Sequence, residues 1–430
     1  MVPRLPMPRT VTRASILLVT LALLAGCGSS TRASSTARAS VAFDPFPNSA
    51  PNSCPGAVLD TLGRVVARIY HEGISSERTI VAARQIQGSI PLRQAVEAND
   101  PTAATAAAQK LLASGKLTNL LLVRDGHTLV NVGGPAVTPL QGTLRGVHGA
   151  PIATYTTSVW SDEGFVAESK GIGEGPVALR VDNASVGGSF EIPTGALPDA
   201  GTLTFQGVSY QYTSFAGEAF PSGAIRIYLF KALSSTKAFC GHSTEDTVFN
   251  TLSRVAHLIY EGEAGKRTQP QIRRVQSNLP LLEAVAQDNR PATVAAVKIL
   301  LHHHIVRLRV FDAEGQLLYD DGGPYVLAPV TAPLRLNGRR IGSIVLSIQD
   351  DEGYKRLVGR LAGLDVLMYM DLTPGQPQLV KNSLGPDPGT VPASGSYTYR
   401  GKHFRVLTIT AEAFPSGPLT IRVLVPMPYI

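Results

Sequence analysis

The sequence predicts an α+β fold made of two tandem domains, each an antiparallel sheet with N-terminal helices packed on it. Three observations carry that prediction. The chain repeats itself: "EAFPSG" stands at Glu218–Gly223 and again at Glu412–Gly417. Each copy opens on segments of helical periodicity. Each then runs into alternating strands separated by turn residues.

The repeat is found piece by piece. "TLGRVVARIY" (Thr61–Tyr70) answers "TLSRVAHLIY" (Thr251–Tyr260), and "IPLRQAVEAND" (Ile90–Asp100) answers "LPLLEAVAQDN" (Leu279–Asn289). "DGHTLVNVGGP" (Asp125–Pro135) answers "EGQLLYDDGGP" (Glu314–Pro324), and "DEGF" (Asp162–Phe165) answers "DEGY" (Asp351–Tyr354). The offset stays near 189–190 and grows to 194 at the last word. A unit of that size is a whole duplicated domain, not a solenoid repeat. Pro-Ser-Gly is turn chemistry, so "EAFPSG" reads as the last turn of each copy.

The elements follow in order. Val58, Leu62, Val65 and Ile69 form one apolar helical stripe, matched by Val248, Leu252, Val255 and Ile259. A second helical region holds Leu281, Val285, Val294, Val297 and Leu301; in the first copy Asp100-Pro101 reads as an N-cap with Pro at the first helical position, which divides the region in two. "VRLRVFD" (Val306–Asp312) alternates as a strand, and Asn337-Gly338 suits a type I′ hairpin. "DEGYKRLVGRLAG" (Asp351–Gly363) is a short amphipathic helix, with Asp351-Glu352 and Asp162-Glu163 at helix N-termini, where carboxylates meet free N–H groups. A strand, a hairpin and a final strand close each copy.

Composition sets the compartment. Arg4, Arg9 and Arg13 precede the apolar run Ile16–Ala25, which is of signal-peptide length. It ends in Leu24-Ala25-Gly26-Cys27, which resembles the lipobox of bacterial lipoproteins and implies a lipid on Cys27. Several acyl chains there would give stable anchoring, since each buried CH₂ contributes about 0.8 kcal/mol. The expected organisation is thus 1–27 leader, 28–53 flexible Ser/Thr/Ala/Pro-rich tether, 54–240 and 241–430 domains, held outside the cytoplasm at the cell membrane. The formal charge of +7 drops to +4 without the three leader arginines, and no basic block is interleaved with aromatics, so nucleic acid is not the expected partner. Cys54 and Cys240 flank the first domain, and an exported compartment permits a disulfide between them.

The order of a long helix, the strand pair of "VFDAEGQLLYD", the hairpin "NGRRIGSIVLSIQDDEGY" and a final strand pair resembles a Cache domain, the PAS-like extracellular sensor module of bacterial receptors. The resemblance implies a small-molecule pocket on one sheet face, covered by the loops after the second strand. The arginine-tryptophan-tyrosine-aspartate signature of the amino-acid-binding branch is missing.

Candidate chemistry is sparse. His302-His303-His304 are consecutive and point in different directions on a helix end, so no metal is expected there. Asp320-Asp321 and Asp350-Asp351-Glu352 lack calcium-loop spacing. There is no G-x-S-x-G, no zincin helix and no phosphate loop, so no enzyme and no cofactor are expected. Tyr155, Trp160 and Tyr325 are the ligand-binding candidates: Tyr155 and Trp160 lie before the "DEG" turn, and Tyr325 follows Gly322-Gly323-Pro324 in a loop expected to lid the sheet. The sequence thus reads as a membrane-anchored small-molecule sensory module, with a membrane protein as the partner for any signal. The alternative is a structural or protein-interaction lipoprotein whose pockets are filled by its own side chains.

Overall fold

In the computed structural model the described residues are 53–189, 191–192, 194–265, 267–301, 305–373, 376–414 and 417–429. The leader with Cys27, the tether up to residue 52, His302–His304 and the Pro-Ser of the second "EAFPSG" lie outside them. The first half begins with four helices, α1 (Cys54–Ser75), α2 (Glu77–Gly88), α3 (Ile90–Glu97) and α4 (Pro101–Ala113). Side chains of Ser53, Ser76, Ser89 and Asp100 cap their N-termini, and Pro follows Asp100 as the sequence predicts. Strands β1 (Asn119–Arg124), β2 (His127–Gly133), β3 (Ala136–Val137), β4 (Leu140–Arg145), β5 (Pro151–Ser158) and β6 (Trp160–Ser161) follow. Then come helix α5 (Asp162–Gly173), strands β7 (Val177–Val181), β8 (Ala184–Gly188), β9 (Ala200–Phe205), β10 (Val208–Phe220) and β11 (Gly223–Ala232), and the short helix α6 (Leu233–Thr236).

The second half repeats the order. Its helices are α7 (Thr244–Ala264), α8 (Gln269–Gln276), α9 (Leu279–Ala286) and α10 (Arg290–Leu301). Its strands are β12 (Arg307–Phe311), β13 (Leu317–Gly322), β14 (Val326–Leu327), β15 (Val330–Leu336), β16 (Arg339–Ser347) and β17 (Gln349–Asp350), then after helix α11 (Asp351–Ala362) β18 (Asp365–Thr373), β19 (Gln376–Asn382), β20 (Gly395–Tyr399), β21 (Lys402–Phe414) and β22 (Gly417–Met427).

One expectation is corrected. Each half holds two antiparallel sheets, not one. The smaller runs β2-β1-β5-β4 in the first half and β13-β12-β16-β15 in the second. The larger runs β6-β3-β10-β11-β7-β8 with β9 beside β10, and is repeated as β17-β14-β21-β22-β18-β19 with β20 beside β21. The chain turns from one sheet to the other at Ser158, whose hydroxyl reaches the Val137 carbonyl and accepts from the Trp160 N–H at 3.0 Å. Ser347 repeats this corner against Leu327 and Gln349. The strands beyond the corner, β3, β6, β14 and β17, are two residues each, too short to show a period-two signal.

A second correction concerns the core. Each smaller sheet has its own: Ile86, Leu92, Val96, Leu120 and Leu122 in the first half, Val275, Leu281, Val297, Leu308 and Val310 in the second. The larger sheets do not. Val58, Val65 and Ile69 of α1, Leu252, Val255 and Ile259 of α7, and Phe165, Tyr354 and Val358 of α5 and α11 form one continuous apolar cluster with both larger sheets. The two long helices pack on each other, so the halves share a core at the seam. Tyr354 is fully buried there and donates to the Ala256 carbonyl at 3.1 Å. Burial pushes its phenol pKa well up.

The repeated word has a structural job. "EAFPSG" enters the β10–β11 turn, and the Tyr70 hydroxyl of α1 accepts from the Glu218 N–H at 2.6 Å. Tyr260 of α7 donates to the Glu412 carbonyl at 3.1 Å. The long helix therefore pins the last turn of its own half. Cys54 and Cys240 are joined by a disulfide, Cα atoms 5.5 Å apart across 186 positions. The helix after each corner is capped by Ser161 or Asp350, one residue earlier than expected, while Asp162-Glu163 and Asp351-Glu352 fill the first turn. Asn337 and Gly338 both have positive φ, as a type I′ turn requires.

Candidate functional site

The larger sheets have two faces. On β7 and β11, Val177, Leu179, Ile227 and Leu229 point to the helices. Alternate residues point the other way, and there Ala178, Tyr228 and Phe230 with Tyr212 form a separate cluster under the loop that carries Ile192 and Leu197. That loop follows β8 of the larger sheet, not the second strand of the half, after which the family resemblance puts a pocket lid. In the second half Leu367, Val391, Phe404, Val406 and Leu424 build the corresponding cluster under the loop after β19.

Arg180 lies on this face and is 1 % exposed. Its Nη2 donates to the carbonyls of Asn183 and Gly195, both at 2.6 Å, and the guanidinium lies 6.0 Å from the Tyr228 ring centroid. Among the described residues its Nε and Nη1 are buried with no hydrogen-bond partner, and no ion pair reaches it. Asp199, at the end of the loop, is taken by Arg226 instead. A buried cation with two idle donors is costly unless an anion or water completes it.

The second half solves the same position differently. In the strand registers Arg180 opposes Arg226 and Tyr228 opposes Ala178; Tyr369 opposes Thr420 and Arg422 opposes Leu367. Arginine and tyrosine have exchanged strands. Arg422 stacks over Tyr369 at 4.4 Å and donates to the Val391 carbonyl of the covering loop. Its Nε is likewise buried and unpartnered among the described residues. Beside this cluster a cavity of about 280 Å³ is lined by Asp365, Ser383, Leu384, Tyr399, Arg400 and Phe404. Asp365 accepts from the Ser383 hydroxyl at 2.7 Å, so the cavity offers polar and aromatic groups together.

The three aromatic candidates fall elsewhere. Tyr155 is 6 % exposed in the core of the smaller sheet, with Gly142 leaving room for its ring. Burial raises its phenol pKa, partly offset by a hydrogen bond with Gln87. Trp160 sits half-buried at the corner between the sheets, under the guanidinium of Arg78 at 5.7 Å. Tyr325 belongs to the connection from β13 to β14, not to a lid; its carbonyl accepts from the Asp351 N–H at 3.0 Å. Trp160 packs against both the smaller-sheet cluster that holds Tyr155 and the shared core that holds Tyr325. The residue that sequence reasoning passed over is Arg180. Its signal was available: the strand-exchanged Arg and Tyr at repeat offsets 189 and 194 mark a maintained pair.

The acidic groups are committed to structure. Asp320 accepts from Arg307 at 2.7 and 2.8 Å and from Arg309 at 2.7 Å. Burial works to raise its pKa, but these donors and their charges outweigh it and hold the carboxyl below its ordinary range. Asp351 pairs with Lys381 at 3.2 Å. Among the described residues no group of three or more His, Cys, Asp or Glu side chains is placed to hold a metal ion, and no helix is long and apolar enough to cross a membrane.

Comparison with known proteins gives little. No family model matches the chain, and no curated protein matches it. Among solved structures, an extracellular ligand binding receptor from Desulfohalobium retbaense DSM5692 is similar at 13 % identity and a TM-score of 0.22, over 52 % of this chain. The match spans about half, 47 %, of that receptor.

Proposed function

We propose that this chain is an extracytoplasmic, non-catalytic small-molecule-binding module, held at the cell membrane by a lipid on Cys27, that takes up a compact anion such as a carboxylate beneath the covering loop of the first half. The observation that carries the reading is Arg180: a guanidinium 1 % exposed, without a carboxylate, with Nε and Nη1 idle. The idle Nε–H and Nη1–H lie on different edges of the guanidinium, so each would meet an anion oxygen as a single charge-assisted hydrogen bond, and the attraction rests on charge. The tyrosines around it supply apolar walls with polar tips. The covering loop then acts as the sensing element, because it contributes the Gly195 carbonyl that shares the same guanidinium. A signal would leave through a membrane-protein partner.

The test is a thermal shift of the full chain against a panel of small mono- and dicarboxylates. A bound anion raises the melting temperature with concentration as RT ln(1 + [L]/Kd). The shift is expected to vanish in Arg180→Met, while that variant alone folds normally, since an apolar isostere removes an unpaired buried charge. The competing reading, a structural or interaction lipoprotein, draws on the close filling of this face by Tyr212, Tyr228 and Phe230. It prevails if no carboxylate shifts the wild type.

A further inference from the structure

The seam between the halves carries a second feature, separate from the loop-covered faces. A cleft of about 560 Å³ opens where the start of α2 meets α11. Its ionisable lining is Glu77, Arg78, Lys116, Arg267, Arg356 and Arg360. Two of these are spoken for across the seam: Arg360 pairs with Glu72 at 2.5 Å, and Arg267 pairs with Glu168. Lys116 and Arg356 are exposed and meet no carboxylate among the described residues. Arg78 rests on the Trp160 ring and reaches the Gly115 carbonyl at 3.5 Å, again with no carboxylate. Against these three stands Glu77 alone, which leaves the cleft with an excess of two positive charges. The acidic residues at the start of α11 do not cancel them, because Asp351 and Glu352 are taken by Lys381 and Lys355.

The repeat shows that this charge is not a property of the scaffold. The repeat-related groove of about 420 Å³ between α5 and α7, which shares Arg267 with the cleft, is lined by Ala167, Glu168 and Gly171 where the cleft has Arg356, Leu357 and Arg360. The groove carries Glu168, Glu261 and Arg267, one negative charge in excess, while the cleft is cationic. Arg78 is held below its ordinary pKa, first by loss of hydration and then by the like charge of Arg360. Like charges crowded on one wall repel until an anion enters.

We propose that this seam cleft is a binding site for a phosphate group, gripped from both halves at once by Arg78 and Lys116 on one side and Arg356 on the other. Guanidinium and ammonium groups suit a multiply charged oxyanion, the first by bidentate hydrogen bonds and the second as a point charge. A soluble phosphate compound and the headgroup of an anionic phospholipid share that chemistry.

The experiment uses the full chain carrying Cys27→Ser, so that lipid on the cysteine does not mask membrane binding. Inorganic phosphate and pyrophosphate are titrated calorimetrically at low salt, and flotation is measured on phosphatidylglycerol against phosphatidylcholine vesicles. Arg356→Ala and Lys116→Ala are each expected to weaken binding roughly tenfold, the scale of one lost charge-assisted contact. Both residues are exposed and meet no carboxylate among the described residues, so the melting temperatures of the variants should match the parent. Arg180→Met should leave this binding unchanged, which separates the site from the carboxylate site of the first half. Pyrophosphate binding supports the site with a soluble ligand. Flotation on phosphatidylglycerol alone, lost in the same variants, supports it with a lipid headgroup. Absence of both, or binding that neither variant weakens, overturns it.

Discussion

The first half is closed by a covalent bond and the second by polar contacts. Cys54, the first residue of α1, is tied to Cys240 beyond α6. The corresponding helix α7 begins with the reciprocal hydrogen bonds of Ser243 and Asp246, and Asp246 reaches Arg405 of β21 at 2.7 Å. Where α6 fills in after β11, the end of β22 leaves a cavity of about 630 Å³ lined by Val248, Met427, Pro428 and Tyr429 together with Thr244, Glu245 and His403. The same fold thus tolerates two closures. What a duplicated domain must keep is the packing of its long helix; how the ends are fastened is free to drift.

The largest expected effect breaks that comparison directly. Replacing both cysteines, Cys54→Ser with Cys240→Ser, removes a cross-link across 186 positions and should cost about 5 kcal/mol by the loop-entropy relation. Because α1 and α7 share a core, the loss should lower the denaturation midpoint of the whole described unit in one transition. Two separate transitions in the variant would show that the halves unfold independently and that the shared core does not couple them.

The second contrast lies in the smaller sheets. Arg307, Arg309 and Asp320 form a partly buried ion cluster on β12 and β13. The matching positions of the first half hold Asn119, Leu121 and Asn131, and Asn119 is fully buried with its amide unpartnered among the described residues. Asp320→Asn leaves two arginines without their anion and should cost about 2–4 kcal/mol. The triple change Arg307→Asn, Arg309→Leu, Asp320→Asn installs the first half's solution and should cost less than the single change. The sign of the pH effect follows from the depressed carboxyl: its contribution is present above the ordinary carboxylate pKa of about 4 and is lost as pH falls through the lower folded value. A wild-type stability profile that stays level across acid pH, or falls as steeply in Asp320→Asn, contradicts this assignment.

Much of this architecture was legible in the chain. The nearly constant offset of 189–190, growing to 194 at the last word, gave the duplication, the apolar stripes gave α1 and α7, and Asp100-Pro101 and Asn337-Gly338 gave a cap and a turn. The shared core was missed because one stripe was counted. In α1, Ala57, Leu59, Val66, Ala67 and Tyr70 are buried beside Val58, Leu62, Val65 and Ile69, a band too wide for a helix covered on one side only. The split into two sheets was missed because it turns on single serine hydroxyls at Ser158 and Ser347. Arg180 was missed because a lone arginine in a strand ordinarily faces water, and only the fold places a loop over it.

The finest contrast is between two glycines at one repeat position. Gly73 of α1 and Gly262 of α7 stand 189 residues apart, each near the end of its long helix. A methyl group on Gly73 would strike the Thr138 hydroxyl and come within 2.8 Å of the Trp160 ring, at the corner where the sheets meet. On Gly262 it would meet nothing within 4 Å. Gly73→Ala should therefore cost about 1–3 kcal/mol from overpacking, even though alanine is the better helix former. Gly262→Ala should be neutral or stabilising by up to about 1 kcal/mol, because only the helix preference changes. Denaturation midpoints of the two variants measured side by side decide the matter: equal effects would mean that the corner yields, and that Trp160 does not fix the approach of α1 to the sheets.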